Sequence, residues 1–188
     1  MDHTDAGSDD GFSGGHWVVT ADNRTQGFTQ PNSDQFALIL REYEGPWEAS
    51  PFDQSGTTAF ANSTANPQDK LIAAGGATSQ DDELVVVAYS LRDTSSGETY
   101  VASAPTESFI NLLQEDNQAG AFQKSVITAD KVLSAIGTPN TQITITRTGG
   151  GDPWRSGALL MTFKKAAGGG GSAPRIIPSR HLATLGAG

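Results

Sequence analysis

Apolar and polar residues alternate with a period of two in several short segments, the pattern of half-buried β-strands. In residues 141–148, Ile143 and Ile145 alternate with threonines, and residues 158–165 place Leu159, Met161 and Phe163 on one face. Threonine and isoleucine both suit a pleated surface. Further strands are predicted at residues 17–20, 36–43 and 70–74.

The longest apolar run lies in residues 83–92, where Leu84 to Val87 are all apolar, as in a strand buried on both faces. Residues 93–97 end in Gly97 and predict a turn. Residues 98–103 then predict a returning strand, so this part of the chain indicates a hairpin. By contrast, residues 45–69 contain three prolines and predict a long irregular excursion, with a short strand at 57–61.

Two segments predict short helices instead of strands. Thr106 can cap the first, in which Phe109, Ile110, Leu112 and Leu113 form one apolar face. The second opens at Thr128, has apolar residues at 132, 133 and 136, and ends before Gly137. The predicted fold class is therefore mainly β, an antiparallel β-sandwich or barrel with one or two short helices and extended N- and C-terminal arms.

Composition divides the chain into three parts. Residues 1–15 form an acidic, glycine-rich N-terminal arm, and residues 16–166 form a β-rich globular body with nearly all the aromatic residues. Residues 167–188 begin with a run from Gly168 to Ser172 that resembles a flexible linker, natural or engineered. A basic and apolar C-terminal arm follows it.

The overall charge excludes some partners. The 188 residues include 12 Lys+Arg and 21 Asp+Glu, a net charge of -9, so the acidic body is not expected to bind nucleic acid. No segment approaches the roughly 18 apolar residues of a membrane span, and no secretion signal is recognised. The absence of cysteine excludes disulfides and thiolate chemistry.

Candidate catalytic patterns are weak. Residues 11–15 fit G-x-S-x-G, but an acidic arm precedes them where a nucleophile elbow needs a strand. The three histidines, His3, His16 and His181, do not form a triad or a zinc pattern. We therefore expect no enzyme activity, no catalytic residue, no cofactor and no metal ligand.

The two ends of the chain differ in charge. Five aspartates and no basic residue lie between Met1 and Asn23, whereas five basic residues and no acidic one follow Asp152. A short apolar arm beyond a linker is expected to dock on its own body, a neighbouring copy or another protein. The predicted docking residues are Arg175, Ile176, Ile177, Arg180, Leu182 and Leu185. Trp47 and Trp154 are expected to anchor loops.

These features lead us to expect a self-assembling structural protein, such as a capsid shell, decoration or tail-tube subunit of a virus or phage particle. Its arms would link neighbouring copies in a homo-oligomer, or bind another structural protein, in the virion or in the host cytoplasm during assembly. Unstructured tails on a monomer are the plainer interpretation. The alternative function is a carbohydrate- or protein-binding β module with Trp47, Phe52 or Trp154 as a platform. A hydrolase using Glu42, Glu44 and Glu48 is less favoured.

Overall fold

The computed structural model describes residues 37, 39, 41–93, 98–117, 123–149, 153–166 and 175–176. Within these residues the fold is mainly β, as predicted, and contains ten strands and no helix. No helix in this part of the chain is long and apolar enough to cross a membrane. The strands are β1 (Tyr43–Glu44), β2 (Trp47–Ser63), β3 (Gln68–Ala73), β4 (Leu84–Asp93), β5 (Thr99–Ala102), β6 (Ile110–Asn117), β7 (Gln123–Val132), β8 (Asn140–Thr148), β9 (Trp154–Lys165) and β10 (Arg175–Ile176).

The strands form two main antiparallel sheets. The five-stranded sheet has the order β2-β9-β4-β7-β6, the three-stranded sheet has the order β3-β8-β5, and β1 pairs with β10 in a short ribbon. The pairs β1–β10, β2–β9, β3–β8 and β4–β7 are nested, so the chain folds back on itself about the connection between β5 and β6.

This nested order is that of a jelly roll, with one difference. The sixth strand, β6, pairs with β7 at the edge of the five-stranded sheet and does not extend the three-stranded one. It still reaches β5, because the Gln114 side-chain amide donates a hydrogen bond of 2.7 Å to the Tyr100 carbonyl oxygen.

The two sheets face each other across one apolar core, as in a β-sandwich. The central strand β4 supplies alternate residues, among them Val85, Val87 and Tyr89, each 0% exposed. The other fully or nearly fully buried members come from both sheets: Ile72, Leu91, Tyr100, Ile127, Ala129, Ile143, Ile145, Trp154, Ala158 and Leu160.

The opposite face of the five-stranded sheet is also apolar at one end. Leu84, Val86 and Phe163 form a second cluster there. Tyr43 and Trp47 pack against it, with three further side chains, Phe52, Val132 and Met161. Leu84 to Val87 are therefore buried on both faces, which confirms the interpretation of that apolar run.

The two sheets meet at an edge where β2 passes β3. Gly75 N donates to the Ser55 carbonyl oxygen at 2.8 Å. A Cβ on Gly56 would lie only 1.8 Å from the Ala73 carbonyl oxygen, so no side chain fits at that position. The glycine allows this close approach of the two backbones.

Both predicted helices are wrong: the structure has β6 and the connection before it in place of the first, and the end of β7 with the β7–β8 connection in place of the second. In the first segment, the pairs Phe109–Ile110 and Leu112–Leu113 have the spacing of an apolar helical face. In the structure Phe109 belongs to the connection before β6, and a register shift separates Ile110 from Leu113. Asn111 has a φ of 53° within this bulge. In β7 both faces are partly buried, so no period of two is visible.

Three further predictions need correction. The strands β4 and β5 do not form a hairpin, because β4 pairs with β7 and β9 while β5 crosses to the other sheet and pairs with β8. Most of residues 45–69, predicted as an irregular excursion, form the 17-residue strand β2. Its pairing with β9 is irregular: β2 contains Pro51, and its ladder has three register shifts. In the predicted strand at 36–43, the described residues Ala37, Ile39, Arg41 and Glu42 are not in a strand.

The remaining strand predictions near residues 70–74, 141–148 and 158–165 are confirmed by β3, β8 and β9. The predicted arm at 1–15 and the strand at 17–20 lie outside the described residues.

Candidate functional site

Five residues hold the segment around β1 against the five-stranded sheet. We call them the Arg41 clamp: Arg41, Tyr43, Asn111, Thr128 and Asp130. Arg41 Nη1 lies 3.1 Å from Asp130 Oδ2, and Arg41 Nε donates to Thr128 Oγ1 at 2.9 Å. Arg41 Nη2 donates to the carbonyl oxygens of Thr128, at 3.0 Å, and Asn111. The clamp thus joins Arg41, just before β1, to β7 and to the bulge at Asn111 in β6.

The carboxyl group of Asp130 is the centre of the clamp. Its side chain is 0% exposed, and that of Arg41 is 8% exposed. It also accepts hydrogen bonds from Asn111 Nδ2 at 2.8 Å and from the Tyr43 hydroxyl at 3.1 Å. Burial raises the pKa of Asp130, although Asn111 and Arg41 oppose this shift. A buried ion pair with this many hydrogen bonds fixes geometry more than it adds stability.

Tyr43 connects the clamp to the second apolar cluster. Its ring packs against that cluster while its hydroxyl reaches Asp130. Burial, with the negative charge of Asp130 as a second cause, raises the pKa of Tyr43 far above its usual value. The phenol therefore stays neutral and acts as a hydrogen-bond donor.

The two ends of the described chain meet beside the clamp. Tyr43 is opposite Ile176 and Glu44 is opposite Arg175 in the antiparallel β1–β10 ladder. The Ala166 N–H donates to the Pro46 carbonyl oxygen at 2.5 Å, so the end of β9 also lies against this segment. Two of the six predicted docking residues thus have backbone partners in their own chain.

The other four predicted docking residues, Ile177, Arg180, Leu182 and Leu185, lie outside the described residues. Arg175 and Ile176, the last described residues, lie opposite Glu44 and Tyr43, which are close to the start of the described part of the chain.

The two predicted anchor tryptophans begin strands and are not within loops. Trp154 is 0% exposed and its indole Nε1 donates to the Ala65 carbonyl oxygen at 3.0 Å, which ties the β2–β3 connection to β9. Its ring centroid lies 5.5 Å from that of Tyr100 and 5.9 Å from the Arg147 guanidinium carbon. Trp47 is half-buried on the second cluster.

A second buried ionic group lies near Trp154. Arg147 pairs with Asp93 and has Glu98 Oε2 at 3.7 Å, and all three side chains are at most 3% exposed. The Tyr100 hydroxyl donates to Asp93 at 3.4 Å. This group links β4, β5 and β8 inside the body, so its arrangement is structural.

The carboxyl pair Asp53 and Glu83 was not recognised from the sequence. The Ser79 N–H donates to Asp53 Oδ2 at 2.7 Å and lies 3.2 Å from Glu83 Oε1, which also accepts from Gln80 N–H at 3.2 Å. Burial raises the pKa of Glu83, and Asp53 adds to the shift. Burial opposes ionisation of Asp53 too, yet hydrogen bonds from Ser79 and with Glu83 hold its pKa below the usual value.

The two shifts are opposite in direction, so Asp53 gives up its proton more readily than Glu83 does. Local sequence offered one signal, the acidic run from Asp81 to Glu83, but its partner Asp53 lies 30 positions away in β2. The glutamates of the hydrolase hypothesis are placed differently: Glu42 and Glu44 are exposed, and Glu48 Oε2 lies 3.6 Å from Lys164 Nζ.

The described residues contain no group of three or more His, Cys, Asp or Glu side chains arranged to hold a metal ion. A scan against protein-family models, a search of curated proteins and a search of solved structures each returned no match.

Proposed function

We propose that this chain is a self-assembling structural subunit, with a virus or phage particle as the leading setting. The observation that carries the proposal is the nested strand order from β2 to β9, closed by the β1–β10 ribbon. Jelly-roll sandwiches of this kind form capsid shells and lectin domains. Because one fold can host unrelated functions, the proposal rests on this architecture together with the charge of the two ends of the chain.

The position of the chain ends supports assembly through the arms. The β1–β10 ladder brings Arg175 and Ile176 next to Tyr43 and the Arg41 clamp, so the first and last described strands lie together. One terminal segment is acidic and the other is basic, so each is complementary to the opposite segment of a neighbouring copy. Contacts of this head-to-tail kind close into rings or extend into shells and tubes. In that setting the protein resides in the particle, or in the host cytoplasm during assembly.

The clamp gives such arms a firm base. Arg41 holds the N-terminal segment at the sheet through contacts with three residues, so tension on the arm is transmitted to β7 and β6 and not to a loose loop. The backbone pairing of Arg175 and Ile176 with β1 holds the C-terminal segment at the same place.

Electron microscopy and light scattering of the purified full-length protein test the proposal. We expect rings, tubes or shells at neutral pH, and we expect deletion of residues 177–188 to abolish them while leaving the thermal unfolding midpoint unchanged. High salt should weaken assembly, because it screens exposed charges. A full-length protein that stays monomeric at neutral pH, and is unaffected by the deletion, would overturn the proposal.

The binding-module alternative is less well supported by the geometry. A stacking platform needs an exposed aromatic face, but Trp154 is 0% exposed, and Trp47 and Phe52 pack on the second cluster. A tryptophan fluorescence titration with sugars tests this alternative, and saturable binding would favour it. A carboxylate-dependent hydrolase has support only from the Asp53–Glu83 pair, which is largely engaged with backbone N–H groups.

A further inference from the structure

The β3–β4 connection is fastened to its surroundings on three sides. Two of its backbone N–H groups, at positions 74 and 78, donate at 2.9 Å to carbonyl oxygens of the β7–β8 connection. The Gln80 side-chain amide donates at 3.0 Å to the Lys165 carbonyl oxygen, at the end of β9. On the third side the connection meets β2 at two points, the hydrogen bond between Gly75 and Ser55 and the Asp53 carboxyl group.

At the second of these points two carboxyl groups converge on one N–H group. The Ser79 nitrogen lies 2.7 Å from Asp53 Oδ2 and 3.2 Å from Glu83 Oε1. The two side chains are also within hydrogen-bond reach of each other, and such a bond needs a proton on one of them. Glu83 is 0% exposed, and its second oxygen, Oε2, has no hydrogen-bond partner in the described part of the chain. The arrangement therefore accommodates one negative charge better than two.

The charged groups around the pair do not offset a second negative charge. The lysines at this end of β7 and β9 each have an oxygen partner: Lys165 with Asp82, Lys164 with Glu48, and Lys131 with the Glu107 carbonyl oxygen at 3.0 Å. Asp81 adds a further acidic group in the connection itself. The β7–β8 connection, and β4 as far as Leu91, carry no charged residue.

We propose that the Asp53–Glu83 pair is a pH-sensitive latch between β2 and the β3–β4 connection. With a proton on Glu83, both carboxyl groups hold the Ser79 N–H and the latch is closed. When Glu83 ionises as well, the two like charges repel each other. Asp53 is the group that moves away, because it is only half-buried whereas Glu83 is fully enclosed. The latch goes beyond the proposed assembly function and does not depend on it.

The part of β2 that the latch holds has few other ties to β9. Between Trp47 and Ser55 the ladder has a single registered pair, Phe52 with Phe163, and a register shift on each side of it. Trp47 and Phe52 also pack on the second apolar cluster. Opening of the latch therefore loosens the start of β2 and this apolar cover, while the unbroken ladder between β4 and β7 stays closed.

Hydrogen–deuterium exchange of the full-length protein, read by mass spectrometry at pH 5 and pH 8, tests the latch. Labelling times are scaled for the intrinsic effect of pH on amide exchange. We expect the β3–β4 connection and residues 47–54 to exchange about tenfold faster at pH 8, because each unit by which the pKa of Glu83 differs between closed and open latch changes the opening equilibrium tenfold. The strands β4 and β7 should keep their protection.

Two variants each leave a single ionisable carboxyl group in the latch. Asp53→Asn and Glu83→Gln retain a side-chain oxygen that accepts from the Ser79 N–H, so both should exchange slowly at pH 5 and at pH 8. Circular dichroism checks that each is folded, and either variant alone is sufficient for the test. Glu42→Gln removes an exposed carboxyl group outside the latch, so as the matched control it should keep the wild-type response to pH.

Three results would overturn the latch. Equal corrected exchange of the two segments at pH 5 and pH 8 in the wild type means that nothing opens. A response to pH that persists in Asp53→Asn and in Glu83→Gln comes from other groups. A loss of protection that extends equally to β4 and β7 reports unfolding of the whole body. Faster exchange that is limited to the two segments, and abolished by either variant, supports the proposal.

Discussion

Arg41 and Asp130 form a buried ion pair across 89 positions of sequence, with 3.1 Å between Nη1 and Oδ2. The pair fastens the segment that precedes β1 to the second strand from the edge of the five-stranded sheet. Because β1 in turn pairs with β10, the first and last described strands lie together beside this ion pair.

Removal of Arg41 should be strongly destabilising. Arg41→Met leaves the Asp130 carboxyl group buried without its cation, a change that typically costs about 3–5 kcal/mol. The double variant Arg41→Met with Asp130→Asn should recover a large part of that loss, because no uncompensated charge remains. Urea unfolding of the two single variants and the double variant measures the coupling.

Lys164→Met provides the comparison. Lys164 lies 3.6 Å from Glu48, and the side chains are 23% and 31% exposed, so its loss should cost less than about 1 kcal/mol. Equal effects of Arg41→Met and Lys164→Met on the free energy of unfolding would contradict the role assigned to the clamp.

The sequence was sufficient for the fold class and for the strands with a clear pattern. Ile143 and Ile145 alternate with threonine, and β8 alternates in the same way between core and outer face. Where both faces are buried this signal disappears, as in β7, where Thr128 and Asp130 are as buried as Ile127 and Ala129. The apolar residues that predicted the second helix, Val132, Leu133 and Ile136, lie at the end of β7 and in the connection that follows it.

The pairing of strands and the composition of the clamp were not predictable. A turn at residues 93–97 indicates a hairpin, but nothing local specifies that β5 crosses to the other sheet. Arg41 and Asp130 are one basic and one acidic residue among many, and only the fold brings them together. A contact between residues that are far apart in sequence produces no local pattern in a single sequence. For the same reason the contact between Asp53 and Glu83 could not be predicted.

The Asp53–Glu83 pair should make stability depend on pH. Glu83 has a raised pKa in the folded protein, so the folded state binds its proton more tightly than the unfolded state. Stability then falls as pH rises from the ordinary glutamate pKa of about 4.3 through the raised value. Asp53 has a lowered pKa, so its contribution is lost at the acid end, as pH falls below its ordinary range.

Glu83→Gln should remove the fall in stability that occurs as pH rises above the ordinary pKa of glutamate. Glutamine resembles the protonated acid, since its amide oxygen accepts from Ser79 N–H and Gln80 N–H. We expect the variant to be as stable as the wild type near pH 4 and more stable near pH 8, as measured by thermal unfolding across that range. Glu42→Gln, at an exposed position, is the control and should change stability neither near pH 4 nor near pH 8. If the wild type and Glu83→Gln change in stability with pH in parallel, the role assigned to Glu83 is wrong.

Trp154 should contribute more to stability than Trp47. Trp154→Ala removes a fully buried ring and should cost about 3–5 kcal/mol, whereas Trp47 is only half-buried. Trp154→Phe retains most of the ring volume but leaves the Ala65 carbonyl oxygen without its indole donor, at a cost of about 1 kcal/mol. Chemical denaturation gives both values, and equal costs for the alanine variants at 154 and 47 would contradict the prediction.

The close approach of β2 to β3 predicts a severe effect of a single methyl group. A Cβ at position 56 would lie 1.8 Å from the Ala73 carbonyl oxygen and 2.8 Å from its carbon, and both belong to the backbone, so no side chain can rotate away. Gly56→Ala should therefore force the two strands apart and cost at least about 2 kcal/mol. Gly137→Ala is the control, because a Cβ there meets nothing within 4 Å. A thermal midpoint for Gly56→Ala within the error of that control would show that β2 and β3 do not approach as closely as the structure has them.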